Sequence, residues 1–221
     1  MNRKVICLVG PDGSGKSTQA RLLINKLNGC GIGCEYKWVR FRHLFSLPLL
    51  AIARVLRLSE MIYLESGRRI GYHYFYKSRS ISFLYSSLLY LDTFLLVISR
   101  VRIPHRFSNR IIICDRFVYD VIVDLMISTR DSNFLESQRG RAYLELIPDY
   151  CAVMIMIADA KILRSRRDDV LNDQTLDEKV RLYEMIGKRF CLPMIDASNS
   201  IEITHEEILT IVRQILHLKP D

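Results

Sequence analysis

Five consecutive apolar residues, Val5 to Val9, are followed by a short polar, glycine-rich interval and then by apolar residues recurring at helical spacing between Gln19 and Leu27. An unbroken apolar run of that length predicts a strand covered on both faces. A period of three to four predicts a helix. The same alternation recurs along the chain. Gly29 to Gly33 marks a loop and Glu35 to Val39 a second strand, with Ile111 to Cys114 a third and Cys151 to Ala158 a fourth. Thr175 to Phe190 and Glu206 to Leu218 read as amphipathic helices, with Met194 to Asp196 a short extended piece between them. Strands alternating with helices predict an α/β domain.

Two stretches need chemistry as well as periodicity. Leu44 to Leu58 is apolar but interrupted by Pro48, Arg54 and Arg57, too broken to cross a bilayer. In Ile81 to Ser99, 13 of 19 residues are apolar, and hydropathy alone would fit a membrane span. Ser82, Ser86, Tyr90 and Thr93 recur every three or four residues, however, and place a polar stripe on one face. Asp92 would be expensive in lipid. The expectation is a core helix lining a cleft, with no membrane span. Between the two stretches, residues 68–80 mix Arg68, Arg69, Lys77 and Arg79 with Tyr72, His73, Tyr74, Phe75 and Tyr76. Basic and aromatic groups together can stack on bases. Aromatics in such a run more often pack beneath a lid or helix, and no nucleic-acid partner is expected.

The 221 residues fit one domain, 1–221, since no linker composition or charge block divides them. Six cysteines include no C-x-x-C pair, and Cys30 and Cys34 lack two further zinc ligands nearby. A reduced, cytoplasmic setting is expected. Met1 to Lys4 lead straight into the first strand and leave no room for a signal peptide. The net charge of +8 is regional, because residues 40–116 hold 13 Lys/Arg against 4 Asp/Glu. Such a region can meet nucleic acid, anionic lipid or the phosphates of small substrates, or be a solvated basic face. Pairing of two copies into a homodimer is left open.

The interval after the first strand carries the chemistry. Gly10, Gly15, Lys16 and Ser17 fill G-x-x-x-x-G-K-[ST], with strand before and helix after. Glycines at 10, 13 and 15 let the backbone approach a ligand closely, so that N–H groups across Asp12, Gly13, Ser14, Gly15 and Thr18 can face phosphate oxygens. The opening helix adds donors and a positive dipole end. Lys16 supplies a mobile charge, and Ser17 a hydroxyl for magnesium. Asp115 ends the third strand where a phosphate-bound magnesium needs a carboxylate, and Arg116 follows it. Arg40 and Arg42 lie at the carboxyl end of the second strand, the ligand-binding edge of such sheets. Arg164, Arg166 and Arg167 cluster on a helix end or loop.

In this order the pieces resemble the thymidylate kinase family of nucleoside monophosphate kinases. The resemblance rests on Gly10-Pro-Asp-Gly-Ser-Gly-Lys-Ser-Thr18, Asp115-Arg-Phe117, the arginine cluster and Ile195-Asp-Ala-Ser198. It implies a three-layer P-loop NTPase fold, with a mostly five-stranded parallel sheet covered by helices and a short arginine-rich lid at about 160–173. It also implies ATP as co-substrate and Mg2+ held at Ser17 and Asp115. Arg116, with Arg42, Tyr90 and Thr93, would face the acceptor nucleotide, and Arg164, Arg166 and Arg167 would close over the transferred group. Two departures stand on the acceptor side. Asp92-Thr93 occurs where the family has Asp-Arg, and Arg40-Phe-Arg-His-Leu replaces a proline-containing acidic motif. The expected activity is ATP-dependent phosphorylation of a nucleoside monophosphate. The alternatives are a kinase of the same fold for another phosphorylated acceptor, or a non-catalytic nucleotide-binding switch.

Overall fold

A computed structural model describes residues 5–40, 43–63 and 69–218. Its centre is a five-stranded sheet in the order β2-β5-β1-β6-β7, every neighbouring pair parallel. The strands are β1 (Val5–Val9), β2 (Cys34–Trp38), β5 (Ile111–Asp115), β6 (Cys151–Ile157) and β7 (Met194–Asp196). A separate antiparallel pair is formed by β3 (Ser59–Tyr63) and β4 (Arg69–His73). The five expected parallel strands are thus present.

Alternation along β1 divides the core. Val5, Cys7 and Val9 face one apolar cluster together with α3 (Arg79–Val97), α5 (Val118–Thr129) and α9 (Leu176–Arg189). Ile6 and Leu8 face the other, built with α1 (Lys16–Gly29), α7 (Ala160–Arg166) and α10 (Ile201–Leu216). Helices therefore cover both faces, as an all-parallel sheet requires. The remaining helices are α2 (Leu47–Val55), α4 (Ile103–Phe107), α6 (Gln138–Glu145) and α8 (Asp168–Leu171). The last helix begins five residues before its expected start, because the Ser200 hydroxyl caps it by accepting from Ile203 N–H.

The long apolar helix departs from expectation. α3 passes through a π-turn, Ile98–Arg102, into α4, so Arg79–Phe107 is one 29-residue helix. Tyr85, Leu89, Val97 and Val101 enter the core as expected, but the helix exposes its other side, with only 33% of its most apolar window buried. Several of its polar residues turn inward beside those apolar ones. Ser86, Asp92 and Thr93 are buried, and Asp92 accepts hydrogen bonds from Phe45 N–H (2.7 Å), Ser46 N–H (3.1 Å) and the Ser46 hydroxyl (2.6 Å). The carboxylate thereby fixes the turn that opens α2, and apolar residues on the other side of α3 are left outward.

The β3–β4 pair was not expected either, since of β3 only Ser59 is buried and no apolar alternation marks it. Tyr72 and Phe75, from the basic and aromatic stretch, are buried, and the Tyr72 hydroxyl donates to the Asn172 carbonyl at 2.9 Å. That bond ties β4 to the segment following α8. Arg42 lies outside the described residues.

Candidate active site

The turn between β1 and α1 is shaped by its glycines. Gly10 has φ +147°, and a Cβ there would sit 2.2 Å from the Met156 carbonyl oxygen of β6, so no side chain fits. Gly13 and Gly15 also take positive φ, at +87° and +86°. Lys16 is buried beneath this turn, and its Nζ donates to the carbonyls of Gly10 and Pro11, each at 2.7 Å. Burial, helped by the Arg116 guanidinium, pushes the Lys16 ammonium down to about 8 against the pull of neighbouring carboxylates.

Asp115, the last residue of β5, meets the loop from the adjacent strand. The Ser17 hydroxyl donates to its Oδ2, and the Tyr36 hydroxyl of β2 donates to the same oxygen at 2.8 Å. Burial and that bond to a carboxylate raise Tyr36 to about 12, so it remains a donor. Among the described residues no cluster of three or more His, Cys, Asp or Glu forms a metal cage. One hydroxyl and one carboxylate side by side do suit magnesium, which usually takes few protein ligands and completes its shell with phosphates and water. Ser17 and Asp115 fit that group.

Arg116 adopts φ +73°, a conformation that costs a non-glycine residue roughly 1–2 kcal/mol. Its guanidinium pairs with Asp12 of the loop and lies 3.6 Å from Asp120 of α5. Burial alone would raise the Asp12 carboxyl, but Arg116 and then Lys16 outweigh it and hold the group well below the usual carboxylate range. Reciprocally, Asp12 and Asp120 raise Arg116 against the effect of burial. Arg40, at the end of β2, adds to the field that lowers Asp12.

Asp120 ties these pieces together, although sequence reasoning passed over it. One carboxylate oxygen accepts from Phe117 N–H at 2.8 Å, at the start of α5. The other accepts from the Tyr183 hydroxyl of α9 at 2.7 Å and lies 3.5 Å from Gly10 N. The available signal was an acid three residues after Phe117, the position from which a carboxylate reaches back to cap a helix.

A cavity of about 540 Å³ is lined by Asp12 to Gln19, Asp115, Arg116, Arg166, Arg167 and residues of the β7–α10 connection. The expected phosphate-loop residues, the Asp115-Arg116 pair and two arginines of the 160–173 segment thus share one space. Arg167 Nη1 is 4.0 Å from Asp12. Arg164 does not join them. It pairs with Asp177 and lines a separate cavity beside β6 and β7. Tyr90 packs edge-on against Tyr143, with ring centroids 5.4 Å apart. Thr93 is buried and donates to the Leu89 carbonyl at 2.7 Å, so its hydroxyl is committed within its own helix.

A parallel sheet with a glycine phosphate loop at the carboxyl end of its first strand defines the class: a P-loop α/β protein. No family model matches the chain. A curated protein of Methanocaldococcus jannaschii named "Probable thymidylate kinase" is 24% identical over 222 residues, covering 96% of this chain and 97% of that relative. The crystal structure of thymidylate kinase from Ehrlichia chaffeensis aligns with a TM-score of 0.55 at 16% identity, over 96% of this chain and 99% of that one. The fold is therefore that of a thymidylate kinase. The resemblance read from the motifs is borne out along nearly the whole length.

Proposed function

We propose that the protein transfers the terminal phosphoryl group of ATP to a nucleoside monophosphate or a closely similar phosphorylated acceptor. The observation that carries this reading is the single cavity in which the phosphate loop, Asp115, Arg116, Arg166 and Arg167 converge. A protein that only bound nucleotide would have little use for three further arginines, from two other segments, lining the same cavity as the loop. The similarity to proteins named thymidylate kinase, along the full chain, supports the same reaction class.

The roles follow from charge and position. Loop N–H groups and Lys16 hold the donor phosphates. Ser17 and Asp115 would hold Mg2+, which when bound supplies charge neutralisation between donor oxygens. Tyr36 keeps the Asp115 carboxylate oriented. Arg116 holds the acceptor phosphate, and its fork suits that geometry better than a lysine would. Asp12 keeps Arg116 in place until that phosphate arrives. Arg166 and Arg167 approach from the lid and stabilise charge on the group in transit. Phosphoryl transfer needs little from the protein beyond such positioning and neutralisation.

The acceptor side favours no commitment to thymidylate itself. Thr93 stands where the resembling family carries an arginine, and its hydroxyl is spent on Leu89. Asp92 is spent on the α2 turn. Incubating the protein with ATP, Mg2+ and each common ribo- and deoxyribonucleoside monophosphate, with products separated by ion-exchange chromatography, tests the proposal. Diphosphate formation from at least one acceptor is expected. ATP binding without transfer to any monophosphate, thymidylate included, would instead favour the non-catalytic switch.

A further inference from the structure

α5 and α9 are in contact, and Asp120 of the first meets Tyr183 of the second. One turn onward along α5 stands Asp124, and one turn back along α9 stands Lys179. Lys179 is the strongest charge acting on Asp124, and Asp124 the strongest acting on Lys179. Unlike Asp120, Asp124 accepts no hydrogen bond from any described residue, and neither of its oxygens is sealed from solvent. Burial raises its carboxyl against the pull of Lys179, then of Arg40 and Arg116. Burial would likewise lower the Lys179 ammonium, but Asp124, Asp173 and Asp12 outweigh it, and its Nζ donates to Asp173 at 2.7 Å between α8 and α9. A half-buried carboxylate with no donor of its own calls for one from a ligand.

Position decides which group of the ligand that is. Asp120 lies 3.6 Å from Arg116, the residue assigned above to the acceptor phosphate, and Asp124 follows one helical pitch later, roughly 5.4 Å along α5. An ionised carboxylate there repels a phosphate and only accepts hydrogen bonds. Counting outward from a 5′-phosphate, the first donors that an acceptor nucleotide offers are the hydroxyls of its sugar, and the base lies beyond them. Ribose presents two, adjacent and cis, and the two oxygens of one carboxylate can accept from both, much as an acid takes the ribose hydroxyl of a bound dinucleotide. Lys179 keeps two N–H donors after the bond to Asp173, enough to meet an oxygen of the same diol. Balanced between Asp173 and Asp124, it suits a neutral hydroxyl better than a second phosphate contact.

We propose that Asp124 and Lys179 hold the sugar of the acceptor and select a cis-diol, so that ribonucleoside monophosphates are phosphorylated in preference to their 2′-deoxy counterparts. The proposal rests on the kinase reading, so its test compares acceptors that differ by one oxygen. With ATP and Mg2+, kcat/KM is measured for uridylate against deoxyuridylate and for cytidylate against deoxycytidylate. The ribonucleotide is expected to lead in each pair by about tenfold or more, with the loss in the deoxy form lying mainly in KM. Asp124→Ala should bring both ratios to within about twofold of unity by raising the ribonucleotide KM. Asp124→Asn, which keeps one acceptor oxygen, should fall between, and circular dichroism and thermal melting identify the variants that fold. A parent enzyme that uses the deoxy acceptors as well or better overturns the proposal and leaves the kinase reading standing. So does a ratio that neither folded variant changes. Transfer to no monophosphate at all counts against the kinase reading instead, and calorimetric titration with uridylate and deoxyuridylate then decides the proposal, which tighter uridylate binding supports and equal or absent binding overturns.

Discussion

Replacing Asp120 by alanine should destabilise the protein by about 2–4 kcal/mol, although this residue belongs to none of the recognised motifs. Its carboxylate caps α5 through Phe117 N–H, and losing such a cap costs about 1 kcal/mol. It also accepts the buried Tyr183 hydroxyl, and a buried donor left unsatisfied costs about 1–3 kcal/mol. Arg116 keeps Asp12 as partner but loses a second carboxylate at 3.6 Å. Against a typical total of about 5–15 kcal/mol the sum is large. Asp120→Asn retains shape and an acceptor oxygen, so about 1–2 kcal/mol is expected for it. Urea unfolding followed by tryptophan fluorescence measures both, Trp38 being the one tryptophan. The asparagine variant should also show a higher acceptor KM with kcat less affected, because Arg116 is then held from one side only. An alanine variant within about 1 kcal/mol of the parent, with an unchanged acceptor KM, would refute this account of Asp120.

Further consequences are equally direct. Gly10→Ala places a methyl 2.2 Å from the Met156 carbonyl, so thermal melting should show strong destabilisation, and any folded fraction should have lost ATP binding. Arg167→Ala should lower turnover by about a thousandfold with donor affinity little changed, whereas Arg164→Ala, at the other cavity, should leave steady-state kinetics within a few-fold of the parent. Free Lys16, held at about 8, is largely neutral at pH 9, and donor phosphates restore its charge; calorimetry in buffers of different ionisation enthalpy should show proton uptake on ATP binding at pH 9 and almost none at pH 6.5. Lowering the folded-state value also means that Lys16 opposes folding below pH 8. The penalty should fade as pH rises from about 8 toward the unfolded value near 10.4. Thr93→Arg should lower the melting temperature sharply by burying a guanidinium, whereas Thr93→Val should melt and turn over nearly as the parent does.

The strands and the phosphate loop were legible because each is fixed by local grammar. Val5 to Val9 can bury both faces only in a covered parallel strand, and glycines at 10, 13 and 15 fall where the backbone takes positive φ. Asp115 was legible for a related reason, since a carboxylate ending a strand next to β1 has one place to go. Asp120, Tyr36 and Tyr183 were not, because their roles come from contacts across 63 to 110 positions of sequence that no periodicity encodes. The β3–β4 pair escaped because β3 buries only Ser59 and carries no apolar alternation. Arg164 was misplaced by proximity, because adjacency in a cluster of arginines says nothing about which side of a short helix each one leaves.

The helix from Arg79 to Phe107 shows where pattern and function part. Its polar stripe makes hydrogen bonds inside the protein and does not line the cavity at the phosphate loop. Asp92 and Thr93 satisfy hydrogen bonds inside the protein, one to the α2 turn and one to their own helix, so they are structural groups in positions where the resembling family places acceptor contacts. The acceptor cleft must then draw its cations from elsewhere, and the described candidates are Arg116 and Arg40, both of which act on Asp12. Arg116 pairs with Asp12 directly and Arg40 acts on it only through its field, and such cations recognise a phosphate without specifying a base. Changing Thr93 therefore should not shift acceptor choice, and Arg40→Ala should weaken thymidylate and the other monophosphates alike; competition among them in both variants measures this, and a changed preference in either would refute it.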